Sequence, residues 1–368
     1  LLSFKFPEQL DMSEEYDLNV KPLNLQTEID ILRHQMNTQE YEELAKINKA
    51  YLTAYVNQEK AAFTEDRLEA AEEELARNQA RLSTGEATQA DVDTMQSSVD
   101  KLTSDLSQQK RNLQTALEEV SDLIHLDVTS GYKLANPLSD AQIPREDLED
   151  IIEHAMENSQ TIYEAEMAVS TAKVNMDSYE SLMRSQYGSK LNAIETFLNQ
   201  VRNGEDVDYA AFQLKYNEML ESFDAPWNGS IKILFFRFTK EWFKGEIDGT
   251  RYIENDLYAL LTACKEYQSA VSELESAEKT LRSDITSSYE AIVTARNAYL
   301  DLADTVAENK EDLERLSALN QLGQAEYSEV KTKQEEYQTN QMDLIDALAT
   351  YNELLYELDS LTCGAISP

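Results

Sequence analysis

No glycine or proline interrupts this chain between Pro22 and Gly85, between Gly85 and Gly131, or between Pro144 and Gly188. The same holds between Gly249 and Gly323 and between Gly323 and Gly364. Glycine and proline break helices, the first through backbone entropy and the second through its missing N–H. The uninterrupted runs are rich in Ala, Leu, Glu, Gln and Lys, which are strong helix formers. An average globular helix has only about 11–12 residues. Several of these runs are several times longer, so the chain is predicted to consist of a few very long helices. Only 9 Gly and 6 Pro occur in 368 residues, against roughly 12% Gly plus Pro in average proteins. A fold with many turns is therefore excluded.

Helices of this length need a partner along their whole length, and an internal repeat supplies one. When Gly323 is set over Gly85, Leu313 falls on Leu75, Arg315 on Arg77, Ala325 on Ala87 and Val330 on Val92. Thr332 falls on Thr94, Gln334 on Gln96, Glu329 on Asp91 and Tyr289 on Tyr51. The heptads agree in phase. Val92, Val99, Leu106, Leu113 and Val120 answer to Val330, Tyr337, Leu344, Tyr351 and Leu358. Before the glycines, Ala54, Ala61, Leu68 and Leu75 answer to Ile292, Tyr299, Val306 and Leu313. An apolar residue every seven is the seam of a left-handed coiled coil. The phase resets at each glycine, as it does where two antiparallel helices meet at a turn, because Gly tolerates the positive φ that ends a helix. Thr88 and Asp91 then make a capping pair for the next helix, and Ser328 is a less clean counterpart.

The reading is helix over Leu25–Ser83, a tip at Thr84–Ala87 and helix over Thr88–Leu126. It repeats as helix over Ile253–Gln321, a tip at Leu322–Ala325 and helix over Glu326–Leu361. Each rising arm is about 85–100 Å long at 1.5 Å per residue. Between the hairpins, Gly131, Pro137 and Pro144 mark a linker. Arg145–Tyr187 returns to helix, with Leu148, Ile151, Ile152, Ala155 and Met156 on one face. Leu191–Val201 and Tyr209–Phe223 are shorter helices. Ser230–Phe238 and Glu241–Tyr252 read as a short β-hairpin, with Leu2, Phe4 and Phe6 alternating as a possible third strand. The segments are thus residues 1–24, an extended N-terminal stretch; 25–126, the first hairpin; 127–144, the linker; 145–252, a helical and β-hairpin equatorial or cap region; and 253–364, the second hairpin. The fold class is mainly all-α, with two long antiparallel coiled-coil hairpins in tandem and a small β-hairpin.

The formal net charge is −38. Such a chain repels nucleic-acid phosphates, and no nucleic-acid partner is expected. It is also repelled from an anionic membrane surface. Solvated helix faces account for the acidity, with a cation-attracting cavity as the sharper alternative. No apolar run approaches the ~20 residues of a spanning helix. Cys264 and Cys363 are too few for a disulfide framework and are expected unpaired. His34, His125 and His154 lack metal-ligand spacing, so no metal or other cofactor is predicted. Asp91 and Glu329 could be taken for an acid/base pair, but such pairs need burial to separate their pKa values. A helix first turn favours acids in any case. No nucleophile elbow or phosphate loop occurs, and the chain is not predicted to be an enzyme. The seam tyrosines Tyr289, Tyr299, Tyr337 and Tyr351 read as packing rather than a ligand box.

The duplicated tips, Leu82-Ser83-Thr84-Gly85-Glu86-Ala87-Thr88-Gln89-Ala90-Asp91-Val92 and Leu322-Gly323-Gln324-Ala325-Glu326-Tyr327-Ser328-Glu329-Val330, resemble those of the TolC family of outer-membrane efflux ducts. The stretches His154–Ser159 and Glu164–Val169 are similar to the segment that opens each half of that family. The resemblance implies an α-barrel protomer in a homotrimer whose tips dock a membrane-fusion adaptor, which links the duct to an inner or cytoplasmic membrane pump. It places docking at Thr84, Gly85, Glu86, Leu322, Gly323 and Gln324, and an acidic constriction ring at Asp91 and Glu329. It also implies a location in the extracytoplasmic cell envelope, at the outer membrane. Positions where some members carry a gate tyrosine and arginine hold Asn320 and Ala325 here. The segment Ser230–Tyr252 is crowded with Lys232, Arg237, Lys240, Glu241 and Lys244, and lacks the alternation and aromatic girdles of a lipid-facing strand. It is expected to be a small soluble β-hairpin, which would make the chain a divergent relative without a full membrane β-barrel. The competing function is a structural or adhesive coiled-coil protein of the cell surface. A membrane-fusion adaptor is a weaker third reading, since adaptors carry one hairpin flanked by β modules.

Overall fold

A computed structural model describes residues 12–226, 228–240 and 258–366. Helix accounts for 83% of them. The long elements are α1 (Met12–Thr84), α2 (Gln89–Ile124), α7 (Ala259–Gln321) and α8 (Tyr327–Leu361). Between α2 and α7 lie α3 (Leu148–Asn158), α4 (Gln160–Tyr187), α5 (Glu195–Arg202) and α6 (Tyr209–Asp224). Two short strands, β1 (Ser230–Ile233) and β2 (Phe236–Thr239), follow α6. The chain divides into two compact units, one of Thr38–Ala155 with Arg282–Pro368 and the other of Leu1–Asn37 with Met156–Leu281.

The first unit holds both tips and the hairpin arms from Thr38 and Arg282 onward. The heptad positions make its seams. Near the first tip, Leu75, Val92, Met95 and Val99 are buried together, flanked by Leu68, Ala71 and Leu82. Further from the tip, Ala50 and Ala54 of α1 meet Ala116, Leu117 and Val120 of α2. Each large apolar side chain so buried contributes roughly 1.5–3 kcal/mol. Hairpin packs against hairpin as well, with Leu52 and Val56 of α1 against Tyr356 of α8. Ion pairs Lys49–Glu357 and Lys60–Asp346, both 2.5 Å, lie along that contact.

The linker after α2 has almost no secondary structure, yet it is laid down as a strap. Gln58 bonds Leu134 through both its N–H and its C=O, and the Tyr51 hydroxyl donates to the Ala135 carbonyl at 3.0 Å. The buried Asn352 amide accepts from Ser139 N–H at 2.8 Å and donates to Ser139 C=O at 3.0 Å. The Tyr351 and Tyr289 hydroxyls donate to Ala141 and Ile143 carbonyls. Side chains thus satisfy backbone groups that no helix or sheet does. Two of the seam tyrosines, Tyr289 and Tyr351, therefore have a defined structural use.

In the second unit, Met176, Met183 and Tyr187 of α4 pack with Leu198, Phe212, Tyr216, Met219 and the first turns of α7 around Cys264. Arg184 and Arg202 bridge Glu180 and Glu195 at 2.5–3.3 Å. Asp208 caps α6 by accepting from Ala210 and Ala211 N–H, each at 3.0 Å.

The structure corrects several sequence expectations. Helix α1 begins at Met12, not Leu25, and carries Pro22 inside it. Residues 12–24 are therefore not extended. The bond lost at Pro22 is offset by burial of Val20 and by stacking of Tyr16 on Tyr179, with ring centroids 4.3 Å apart. The stretch Arg145–Tyr187 is interrupted at Ser159, which separates α3 from α4. Ser230–Phe238 is not one strand but folds back on itself, with Ile233 opposite Phe236 and Lys232 opposite Arg237. Leu234 takes a left-handed φ of 54° in the turn. The proposed partner strand Glu241–Tyr252, and Leu2, Phe4 and Phe6, lie outside the described residues.

Candidate functional site: the hairpin tips

Both tips end their first helix in the same way. Gly85 has φ +79° and Gly323 φ +72°. At the first tip, Gly85 N–H bonds Leu82 C=O at 3.0 Å and Glu86 N–H bonds Arg81 C=O at 2.9 Å. At the second, Gly323 N–H bonds Asn320 C=O and Gln324 N–H bonds Leu319 C=O, both at 2.9 Å. This paired closure is a Schellman motif, and its C′ residue must be left-handed, which glycine accepts at least cost. A Cβ built on either glycine meets nothing within 4 Å. Thr84, Gly85, Glu86, Leu322, Gly323 and Gln324 are all exposed, and Leu322 is 71% exposed despite being apolar.

The second helix of each hairpin starts with a carboxylate turned back on its own N-terminus. Thr88 N–H donates to Asp91 Oδ2 at 2.8 Å, and Asp91 N–H donates to Thr88 Oγ1 at 3.3 Å. The backbone bond from Thr88, then its hydroxyl, lowers the Asp91 carboxyl below the ordinary aspartate range. Glu326 N–H donates to Glu329 Oε2 at 3.3 Å. Glu326 is the N-cap, and Ser328, considered for that place from sequence, instead donates its hydroxyl to Glu326 at 3.2 Å. Asp91 and Glu329 thus share one local geometry, and both are exposed. The two acids are equivalent capping groups of two hairpins.

Two features escaped sequence reasoning. Asn320 donates its side-chain amide to Ala325 C=O at 2.9 Å and so closes its own tip. Tyr327 donates its hydroxyl to Glu74 of α1 at 2.6 Å, tying the second tip to the first hairpin. Partial burial, with Glu74 beside it, pushes the Tyr327 hydroxyl up to about 12. The Asn320 bond spans five residues and could have been suspected; the Tyr327–Glu74 bond spans 253 and has no local signal.

Among the described residues, no group of His, Cys, Asp or Glu is arranged to hold a metal ion. His34 stacks on Tyr163, His154 bonds the Cys363 carbonyl at 3.3 Å, and His125 is the left-handed C-cap of α2. Cys264 and Cys363 are free and buried. No described helix is long and apolar enough to cross a membrane.

Neither a protein-family model nor a curated protein matches the sequence. Solved structures do match the fold. A membrane protein from Pseudomonas aeruginosa is 14% identical, with 92% of this chain and 71% of that chain covered and a TM-score of 0.59. The open state of the MtrE outer membrane channel of Neisseria gonorrhoeae is 15% identical, with coverage of 96% and 72% and a TM-score of 0.58. The outer membrane protein VceC of Vibrio cholerae is 13% identical, with coverage of 92% and 73% and a TM-score of 0.56. At such identities the likeness speaks for fold, and the chain has a TolC-like fold, with its two equivalent tips at the turns of the paired helical hairpins.

Proposed function

We propose that the chain is a protomer of a homotrimeric, non-enzymatic envelope duct for efflux or protein export, docking an adaptor through its hairpin tips. The observation that carries this reading is the identical Schellman closure of two exposed tips on a TolC-like fold. Three protomers would present six such tips, alternating between the Gly85 and Gly323 types. Small residues with open space above them let a partner helix approach the backbone closely. In the same assembly Asp91 and Glu329 would form an acidic ring beside the tips. Self-association is supported by α1 in the second unit, where Leu18, Leu25 and Leu32, and Ile29 and Met36, recur every seven residues and are exposed. That is a coiled-coil seam with no partner among the described residues. The envelope, and the outer membrane within it, is the corresponding location, and an adaptor with its membrane pump are the corresponding partners.

The test replaces Gly85 and Gly323 together with Trp. Export or drug susceptibility is measured in cells, alongside helix content and the mass of the purified protein. Loss of export with an intact, trimeric helical protein is expected. Intact export with an intact fold would reject tip docking, and a monomer at all concentrations would reject the duct in favour of a surface spacer.

A further inference from the structure

In a chain of net charge −38, residues 228–240 read Asn-Gly-Ser-Ile-Lys-Ile-Leu-Phe-Phe-Arg-Phe-Thr-Lys, with three cations and no acid. This segment carries the β1–β2 hairpin, and its turn exposes large apolar side chains. Leu234 is 86% exposed, Phe235 97%, Phe236 69% and Ile233 51%. The register sorts the rest by face. Ile231 opposite Phe238 and Ile233 opposite Phe236 share one side, and Lys232 opposite Arg237 lies on the other.

Two features oppose what a free hairpin in water would adopt. A two-residue turn with positive φ normally takes Asn, Asp or Gly; here Leu234 holds φ 54° and is nearly fully exposed. Like charges placed directly across a ladder repel, yet Lys232 faces Arg237, and neither makes an ion pair with a described acidic residue. Among the described residues, Arg237 bonds the Ser230 hydroxyl, at 2.7 Å.

We propose that this hairpin is an interfacial anchor for an anionic lipid surface, with Ile233–Phe236 in the acyl boundary and Lys232, Arg237 and Lys240 on headgroup phosphates. A phosphate between Lys232 and Arg237 turns their repulsion into attraction. An apolar turn flanked by cations is the chemistry of interfacial membrane binding. The described strands are too short to span. Four residues at ~3.3 Å each cover about 13 Å, against a hydrocarbon core of ~30 Å. A protein partner is less well matched, because Leu234 and Phe235 are open on nearly every side, and a fluid apolar medium covers such side chains all round. The local charge inverts the repulsion that the whole chain would feel from such a surface. The inference stands on the hairpin alone and does not depend on the duct reading.

The test is co-sedimentation of the full chain with vesicles of phosphatidylcholine alone and of phosphatidylcholine mixed with phosphatidylglycerol. Binding to the mixed vesicles, weakened by salt, is expected. Leu234→Asn with Phe235→Ser should weaken it about tenfold or more. Both positions lie in the turn, outside the paired register, and Asn suits the left-handed φ, so the ladder survives. Lys232→Gln, Arg237→Gln and Lys240→Gln together should remove the preference for phosphatidylglycerol. Phe235→Trp should show a blue-shifted emission on mixed vesicles. No binding to either vesicle, or binding that ignores the turn variant, would overturn the proposal. So would a turn variant that lowers the oligomer mass without lipid, because the turn would then be a contact between copies of this chain.

Discussion

Three glycines in the hairpin unit have nearly the same backbone and very different surroundings, which separates conformational strain from steric cost. Gly85, Gly323 and Gly364 have φ of +79°, +72° and +84°. Replacing any of them with Ala forces a Cβ into the left-handed region, at about 1–2 kcal/mol. At Gly85 and Gly323 nothing lies within 4 Å of the new Cβ, so that cost is the whole effect. At Gly364 the same atom would sit 2.4 Å from Cε1 of Tyr41 and 3.1 Å from two further ring atoms. The ring must move, and overpacking of this kind adds about 1–3 kcal/mol. Gly364→Ala should therefore be the most destabilising of the three, by roughly the overpacking term. In a cooperative unit of roughly 200 residues each kcal/mol moves Tm by about 2–4 °C. The assay is urea and thermal unfolding followed by circular dichroism, with Tyr41→Ala and the double variant completing a cycle. Removing the ring should bring the cost of Gly364→Ala down to that of Gly85→Ala. Equal losses at all three glycines would refute the Tyr41 contact, and no loss at Gly85 or Gly323 would refute the left-handed tip closure.

The remaining expectations concern single groups. The Asp91 carboxyl is held low by Thr88, first by its backbone N–H and then by its hydroxyl, so its stabilising effect is present above the ordinary aspartate pKa and fades as pH falls through the lowered one, below roughly pH 4; Thr88→Ala removes only the hydroxyl and should return the Asp91 titration, followed by NMR, part of the way toward the ordinary range, and an unmoved titration would show that the hydroxyl does not bond Asp91. Asn352→Leu strands the Ser139 N–H and C=O and should cost about 1–3 kcal/mol, with faster amide exchange along 134–143; unchanged exchange there would mean the strap is held otherwise. Burial raises both thiols, so a thiol reagent should label neither Cys264 nor Cys363 at neutral pH until the protein unfolds; rapid labelling of either would contradict its burial.

What was legible follows from how local the signal is. Each tip is a Gly that must be left-handed, followed within six residues by an acid that can cap, and both parts act through bonds of short sequence separation. The tips and the seam positions Val92, Val99 and Val120 accordingly stand where their spacing puts them. Failures occur where tertiary packing overrides a local rule. Pro22 reads as a helix breaker, but Val20 and Tyr16 keep α1 continuous across it. The β1–β2 turn is made by Leu234 and Phe235, residues without turn propensity, so the alternation of Ile231, Ile233 and Phe235 reads as one strand. The Tyr327–Glu74 bond at the tips depends on one hairpin lying beside the other, and spacing within a single hairpin cannot show it.

The repeat carries one further consequence. Tyr51 and Tyr289 are equivalent positions, and spacing alone reads Tyr289 as a seam residue that packs. In the structure both hydroxyls donate to the strap between the hairpins, Tyr51 to Ala135 and Tyr289 to Ile143. A duplicated residue has thus kept its chemistry while gripping two different points of one segment. The strap has no ladder of its own, so these side-chain bonds hold backbone groups that no helix or sheet pairs. Two copies of a hairpin joined by an unstructured linker could slide along their seams by a heptad. Tyr51 and Gln58 on α1, Tyr289 on α7, and Tyr351 and Asn352 on α8 grip successive points of one strap. A heptad slip of either hairpin would break several of those bonds at once. The strap therefore holds the register of one hairpin against the other.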